Sequence, residues 1–358
     1  MEDPLPDTID DSEEQQPTTT IASHVFMPPS LDSSRLLSGD SYTFYSPIPS
    51  KVFRASASSS DVTYEPTPCV LGVDEAGRGP VLGPMVYSAF YLPQHLHHSL
   101  LTKDYSFNDS KVLTPDVRSN LMRLICTPDH SLFDSCGWAV RVLSAREISS
   151  GMLRPSSSVY NLNAQAMDAT VELIRGIVEE RSVEVKEVYI DTIGNPNTYQ
   201  QKLERIFPSL NITVAKKADS LYPCVSAASV AAKVTRDAAL EMCYEALIKN
   251  DQKLVLEGQA ESQVPVDSWG SGYPSDMKCV NWLRNDMNPM FGWGNECRFS
   301  WGTVKDLLES KEGTKVEWPV EDDNEARLTD LFARQDTGKS EGNGELRNWY
   351  GCRGRNPF

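Results

Sequence analysis

Gly72-Val73-Asp74-Glu75-Ala76-Gly77-Arg78-Gly79-Pro80 decides how the rest of the chain is read. Cys69 to Asp74 has the short apolar character of a buried strand, and two adjacent acids follow it directly into a turn rich in glycine. After the turn, Gly83 to Leu92 reads as a second strand, so a hairpin displays the acidic pair. Side chains alternate faces along a strand, so Asp74 and Glu75 can share a pocket only if the backbone bends between them or just after them. Gly77 and Gly79 supply that bend, and small residues there also let backbone amides approach a ligand closely.

Working outward, Cys136 to Leu143 reads as a third strand and Val159 to Glu180 as a helix, with Leu162, Ala166, Ala169, Leu173 and Ile177 at helical spacing. Val185 to Asp191 is an apolar strand ending on an acid. A helix over Thr198 to Ile206, a short strand at Ile212 to Ala215 and an alanine-rich helix over Val225 to Ile248 follow. Strands first in antiparallel style and then alternating with helices define the fold class as α/β, a mixed sheet flanked by helices.

Three acidic positions follow apolar runs: the Asp74 and Glu75 pair, Asp191, and Asp219 after Lys216-Lys217-Ala218. Any one alone is an ordinary surface or capping carboxylate. Together at one sheet edge they form a set of hard oxygen ligands that suits Mg²⁺ or Mn²⁺. Two such ions can activate water and stabilise the leaving oxygen of a phosphodiester. The chain has five histidines and none after His130, so the later segments lack a base for a nucleophile triad or a histidine zinc site. His95-Leu96-His97-His98 is expected in an exposed loop.

The net charge is -16, which argues against a protein that coats nucleic acid by bulk charge. Residues 1–67 carry 11 acids and 3 bases, 68–304 carry 27 and 22, and 305–358 carry 12 and 9, leaving room for a local basic groove in the middle. Arg78, Lys111, Lys216, Lys217, Lys233 and Arg236 are its candidate cations, some of them ordinary surface residues. Tyr273, in Gly270-Ser271-Gly272-Tyr273-Pro274, is either a packed aromatic or one that stacks on a sugar. The eight cysteines show no Cys-x-x-Cys spacing, as expected of reduced thiols. The N-terminus lacks a signal pattern and no stretch is long and apolar enough for a membrane span, so a soluble intracellular protein is expected.

Residues 1–67, rich in Ser, Thr, Pro and Asp, are expected to be disordered. The expected domains are a catalytic domain over 68–298, a helical extension over 299–335 and a flexible tail over 336–358.

In order along the chain, Asp74 to Pro80, Asp109-Ser110-Lys111, Asp191-Thr192, Lys217-Ala218-Asp219, Ser226 to Asp237 and Gly272-Tyr273-Pro274 resemble the motifs of the type 2 ribonucleases H. Arg298-Phe299-Ser300-Trp301 is similar to the catalytic subunit of the family's eukaryotic heterotrimers, and the likeness spans Cys69 to Leu308. The resemblance implies a ribonuclease H-like fold with a C-terminal helical extension. It implies a nuclear endonuclease that cuts the RNA strand of RNA/DNA hybrids and incises 5′ of single ribonucleotides in duplex DNA, leaving 5′-phosphate and 3′-hydroxyl ends. The family's roles lie in ribonucleotide and RNA primer removal during replication and repair.

Carried over by position, Asp74, Glu75, Asp191 and Asp219 match the acids that bind two divalent ions. Gly77, Arg78, Gly79 and Tyr273 match the reader of the ribose 2′-hydroxyl. Lys111 and Arg236 match positions near the phosphates, and Asn161 matches a nucleic-acid contact. Two non-catalytic subunits are the implied partners, and Trp301, Val304, Leu307 and Leu308 form a stripe that is either their docking surface or an internal helix face. The stretch 252–268 stands out as a polar insertion. The rival readings are a different two-metal phosphodiesterase and a silent hybrid-binding protein. Cleavage that depends on a ribonucleotide separates the first rival from the leading reading, and retention of all four acids speaks against the second.

Overall fold

The computed structural model describes residues 26–58, 61–107, 113–155, 158–192, 194–256 and 269–310. In chain order the elements begin with α1 (Ser33–Leu37), β1 (Tyr42–Tyr45), the hairpin β2 (Phe53–Ser58) and β3 (Asp61–Pro66), β4 (Cys69–Ala76) and β5 (Met85–Pro93). There follow α2 (Pro115–Cys126), α3 (Ser131–Ser135), β6 (Gly137–Leu143), α4 (Ala145–Met152), α5 (Leu162–Arg175) and β7 (Val185–Asp191). The last are α6 (Pro196–Ile206), β8 (Asn211–Ala215), α7 (Ala218–Leu221), α8 (Pro223–Leu256), α9 (Met277–Asn285) and α10 (Gly302–Ser310).

One sheet of six strands, in the order β1-β6-β5-β4-β7-β8, organises the molecule. β4 pairs antiparallel with β5 and parallel with β7, and β7 pairs parallel with β8. Three strands therefore end at one edge. The mixed sheet expected from the order of elements is the one observed. The helix expected over 159–180 runs as α5 and then widens into a π-helical turn at Gly176–Glu180.

Seven of the eight residues of β4 are buried, because helices cover both of its faces. Val70 faces a core built with α8, through Val225, Ala228 and Ala232. Leu71 and Val73 face the other core, with Ala166, Ala169 and Leu173 of α5 and Leu203 of α6. Gly72 explains how closely α8 approaches: a Cβ there would lie 2.3 Å from the Cys224 carbonyl carbon. The first turn of α8 rests on bare backbone.

Two expectations need correction. Residues 1–67 are not structureless throughout, since the part described, from residue 26, belongs to the core. Leu36 and Tyr42 are buried against α8, Val52 is buried in the opposite core, and β1 pairs with β6 as an edge strand. Ser30 and Thr235, both buried, join hydroxyls at 3.0 Å. The average composition of a polar segment hid a few aromatic and aliphatic residues spaced widely enough to anchor it.

The second correction concerns His97, which is buried rather than on an exposed loop. Its Nε2 accepts the backbone N–H of Cys224 at 3.2 Å, capping α8 from a distant part of the chain. Its ring lies near Tyr189, which stacks on Tyr222 at 4.1 Å.

At the other end, Trp269, Trp282, Leu283 and Trp293 form a third cluster. Val304 of α10 is buried in it, and Trp301, Leu307 and Leu308 pack against it. The stripe is therefore an internal face. The tail over 336–358 lies outside the described residues, as does all of the 252–268 stretch beyond residue 256. Among the described residues no helix is long and apolar enough to cross a membrane.

Two outcomes follow from these contacts. Gly72→Ala should push α8 off the sheet and destabilise the fold by about 3 kcal/mol, read as a lower urea midpoint. Burial, with His98 beside it, pulls the His97 pKa down to about 4 from an ordinary 6.5. The unfolded chain therefore takes up this proton first, so stability falls as pH drops from about 6.5 towards 4. His97→Gln should flatten that part of the melting-temperature profile, and an unchanged profile would remove His97 from it.

Candidate active site

The edge where β4, β7 and β8 end is the natural place for chemistry, because backbone and side chains there leave the sheet without having to pack. Val73 is in register with Ile190, and Asp191 with Ala215. Asp74 and Asp191 each lie one step beyond that first pair, on neighbouring strands. From Ala215 the chain turns through Lys217, in the left-handed conformation at φ 57°, straight into α7 with Asp219 in its first turn. The Ala218 N–H donates to Asp191 Oδ1 at 3.0 Å, tying the two strand ends together.

All four acids line one cleft of about 460 Å³, together with Gly77, Gly79, Arg118, Ser229, Lys233 and Tyr273. β4 continues to Ala76, so the bend comes after both acids and Asp74 and Glu75 reach the cleft from opposite faces of the strand. Asp74 is buried, and its Oδ1 accepts the Glu75 N–H at 2.7 Å. Burial first, then the negative charges of Glu75 and Asp191, hold its carboxyl well above the usual range, while hydrogen bonds from Ser229 and the Glu75 N–H pull the other way. Asp219 is also buried.

Among the described residues no three His, Cys, Asp or Glu side chains close around one point as a ready-made cage. The acids form a wall. The donor set is oxygen throughout and concentrates negative charge, which fits a hard divalent cation. Mg²⁺ in particular takes one or two carboxylates with substrate phosphates rather than an all-protein cage.

The glycine turn lines the same cleft. Gly77 has φ 78°, and a Cβ on it would come within 2.7 Å of the Pro84 carbonyl oxygen. Tyr273 packs against Gly79, where a Cβ would meet its ring at 3.2 Å. The Tyr273 loop is itself anchored: Gly272 O accepts from Val81 N and Leu82 N, and Asp276 Oδ2 accepts from Ser271 N at 2.8 Å.

The residues that hold this turn escaped the sequence reading. Arg298 is fully buried and donates from Nη2 to Gly77 O at 2.6 Å, from Nη1 to Arg78 O at 3.0 Å and from Nε to Gly83 O at 3.0 Å. Trp301 Nε1 donates to Gly79 O at 3.0 Å, and the Arg298 guanidinium lies 4.8 Å from the Trp301 ring centroid. Burial and nearby Arg236 lower the Arg298 pKa to about 9, which leaves it charged at neutral pH. Its planar fork serves several carbonyls at once, which an ammonium cannot do. The run from Arg298 to Trp301 stood out only as a mark of resemblance, because nothing local shows what it touches more than two hundred residues away. Arg118 on α2 and Ser229 on α8 were missed as well. Ser229 and Lys233 sit at i and i+4, a spacing that could have revealed them as one helix face.

The other candidates fall as follows. Arg78 lines the cleft, but its guanidinium is turned to Asn163 Oδ1 and the Tyr87 hydroxyl. Arg236 is buried beneath the Tyr273 loop and donates to Ser271 O at 2.7 Å, so it braces the loop and does not face the cleft. Lys233 lines the cleft and pairs with Asp237 at 2.9 Å. Asn161 caps α5, its Oδ1 accepting from Asn163 N and Ala164 N. It lines a neighbouring cavity rather than the acid cleft. Lys111 lies outside the described residues.

A mixed sheet that gathers acids at the ends of adjacent parallel strands, with helices on both faces, is the architecture of the ribonuclease H-like enzymes. The family model for ribonuclease HII matches residues 71–304. A ribonuclease H2 subunit from Neurospora crassa is 55% identical over 330 residues, 91% of this chain and 95% of that protein. The corresponding Homo sapiens protein is 41% identical over 251 residues, 70% of this chain and 76% of its own. The solved ribonuclease H2 from Pyrococcus horikoshii OT3 is 27% identical with a TM-score of 0.49, covering 68% of this chain and 98% of that one. This chain belongs to the ribonuclease HII family and is a ribonuclease of the H type.

Replacing Arg298 with Lys should leave Gly77 O and Arg78 O short of donors and lower stability by about 3 kcal/mol. Trp301→Phe, which loses a single bond, should cost about 1 kcal/mol. Chemical denaturation checks both values, and equal midpoints for Arg298→Lys and the parent would show that the clamp carries no weight.

Proposed function

We propose that the acid cleft hydrolyses the RNA strand of RNA/DNA hybrids and incises duplex DNA 5′ of a single ribonucleotide, leaving 5′-phosphate and 3′-hydroxyl ends. The observation that carries this reading is that one cleft is lined both by Asp74, Glu75, Asp191 and Asp219 and by the Gly77–Gly79 turn with Tyr273. Bound by the four acids, two divalent ions, Mg²⁺ or Mn²⁺, would supply an activated water and stabilise the leaving oxygen.

The chain's own groups select the substrate. The 2′-hydroxyl is what distinguishes RNA from DNA at one position. Backbone groups of the Gly77–Gly79 turn hydrogen-bond it, and Arg298 and Trp301 keep the turn rigid by occupying carbonyls on its back. Tyr273, 37% exposed, offers a ring face to the sugar at the RNA-to-DNA junction. Ser229 orients Asp74, and Arg118 and Lys233 bring positive charge for the phosphates.

The setting that fits is ribonucleotide and RNA primer removal during nuclear DNA replication and repair, with two non-catalytic subunits as partners. The relatives are named as one subunit of ribonuclease H2, which supports an assembly.

Nicking of a duplex with one ribonucleotide, beside an all-DNA duplex, tests the reading directly; equal cleavage of both contradicts it. Asp74→Asn and Asp191→Asn should abolish Mg²⁺-dependent cleavage with the fold retained by circular dichroism, and normal turnover by both would discard the metal assignment. Tyr273→Ala should slow incision at a lone ribonucleotide about tenfold or more, with a smaller effect on a long hybrid. Equal losses would remove its junction role.

A further inference from the structure

A second cavity, of about 570 Å³, lies beside the acid cleft between the first turns of α5 and α6. The two spaces share Glu75, Arg78 and Asp191, so they are chambers of one groove with the Arg78 side chain as their common wall. Arg78 is held there rather than left to swing. Its Nη2 donates to Asn163 Oδ1 and its Nη1 to the Tyr87 hydroxyl.

Ala166, Met167 and Ile190 give the chamber apolar lining, and Thr198 and Lys202 line it as well. The helix ends are not what a ligand would meet. Asn161 Oδ1 takes the Asn163 and Ala164 N–H groups of α5, and Asn195 Oδ1 takes the Asn197 and Thr198 N–H groups of α6. Recognition therefore falls to side chains. Arg78 and Lys202 provide the positive charge, and Asp168, the acid beyond the shared boundary, accepts from the Tyr160 hydroxyl at 2.5 Å.

Two cations and several apolar side chains in one chamber that shares Glu75, Arg78 and Asp191 with the acid cleft match a sugar–phosphate backbone. We propose that the cleaved strand continues from the acids into this chamber, where Arg78 and Lys202 grip its next backbone phosphate and Asn163 is the positioning residue that aims Arg78. The inference rests on the hydrolytic reading above. It assigns Lys202 and Asn163 to substrate binding and gives Arg78 a phosphate in the chamber that Tyr273 does not line.

The test is the affinity of the full chain for a fluorescent duplex with one central ribonucleotide, measured by anisotropy in EDTA over a series of salt concentrations. Lys202→Ala should raise the Kd several-fold and flatten the dependence of log Kd on log salt by about one unit. Lys249→Ala, which breaks an exposed pair with Glu245 elsewhere on α8, should change neither. Shortening the duplex on one side of the ribonucleotide should erase the Lys202→Ala penalty, and shortening it on the other should leave it intact.

For Asn163, the losses from Asn163→Ala and Arg78→Ala should fail to add in the double variant, because one acts through the other. Wild-type affinity for Lys202→Ala at every salt, or a penalty that ignores duplex length, overturns the proposal. Additive losses overturn the positioning role of Asn163. Failure of the wild-type chain to nick any ribonucleotide-containing duplex, with its normal metals and partners, would instead sink the functional reading and leave the binding result standing.

Discussion

Asp74 is buried at the end of the central strand with Glu75 next to it and Asp191 on the neighbouring strand, and their mutual repulsion is the constraint around which the rest is arranged. A carboxylate so placed prefers to be neutral. The fold compels the arrangement because three parallel strands must end at one edge and helices seal both faces of β4. A divalent cation would relieve the repulsion, with a phosphate supplying its remaining oxygens.

Holding the glycine turn falls to the C-terminal segment. A glycine turn beside exposed carbonyls would be soft on its own. Arg298 and Trp301 bond the carbonyls of Gly77, Arg78 and Gly79 from behind, while Arg236 and Asp276 brace the loop that carries Tyr273. The third hydrophobic cluster fixes the segment in turn. Rigidity at the glycine turn thus comes from packing against residues more than two hundred positions away.

What the sequence made legible was local. Asp74, Asp191 and Asp219 each follow an apolar run, so a strand end could be read at each of the three without tertiary information. The long alanine-rich helix was equally plain. What escaped acts at long range: His97 capping α8, Gly72 yielding to Cys224, Arg298 reaching the turn, and Tyr42–Tyr45 joining the sheet. Arg236 shows the difference within a single residue. Its position on the alanine-rich helix was evident, yet which way its guanidinium points depends on the carbonyls of a loop far along the chain.

The central claim is that these four acids jointly hold divalent ions beside the scissile phosphate. It is tested most directly by titrating Mn²⁺, followed by electron paramagnetic resonance, into the full chain bound to a non-cleavable hybrid. The account predicts two bound ions for the parent chain and loss of at least one in Asp219→Asn with the hybrid still bound. Equal Mn²⁺ occupancy in the two proteins would contradict it.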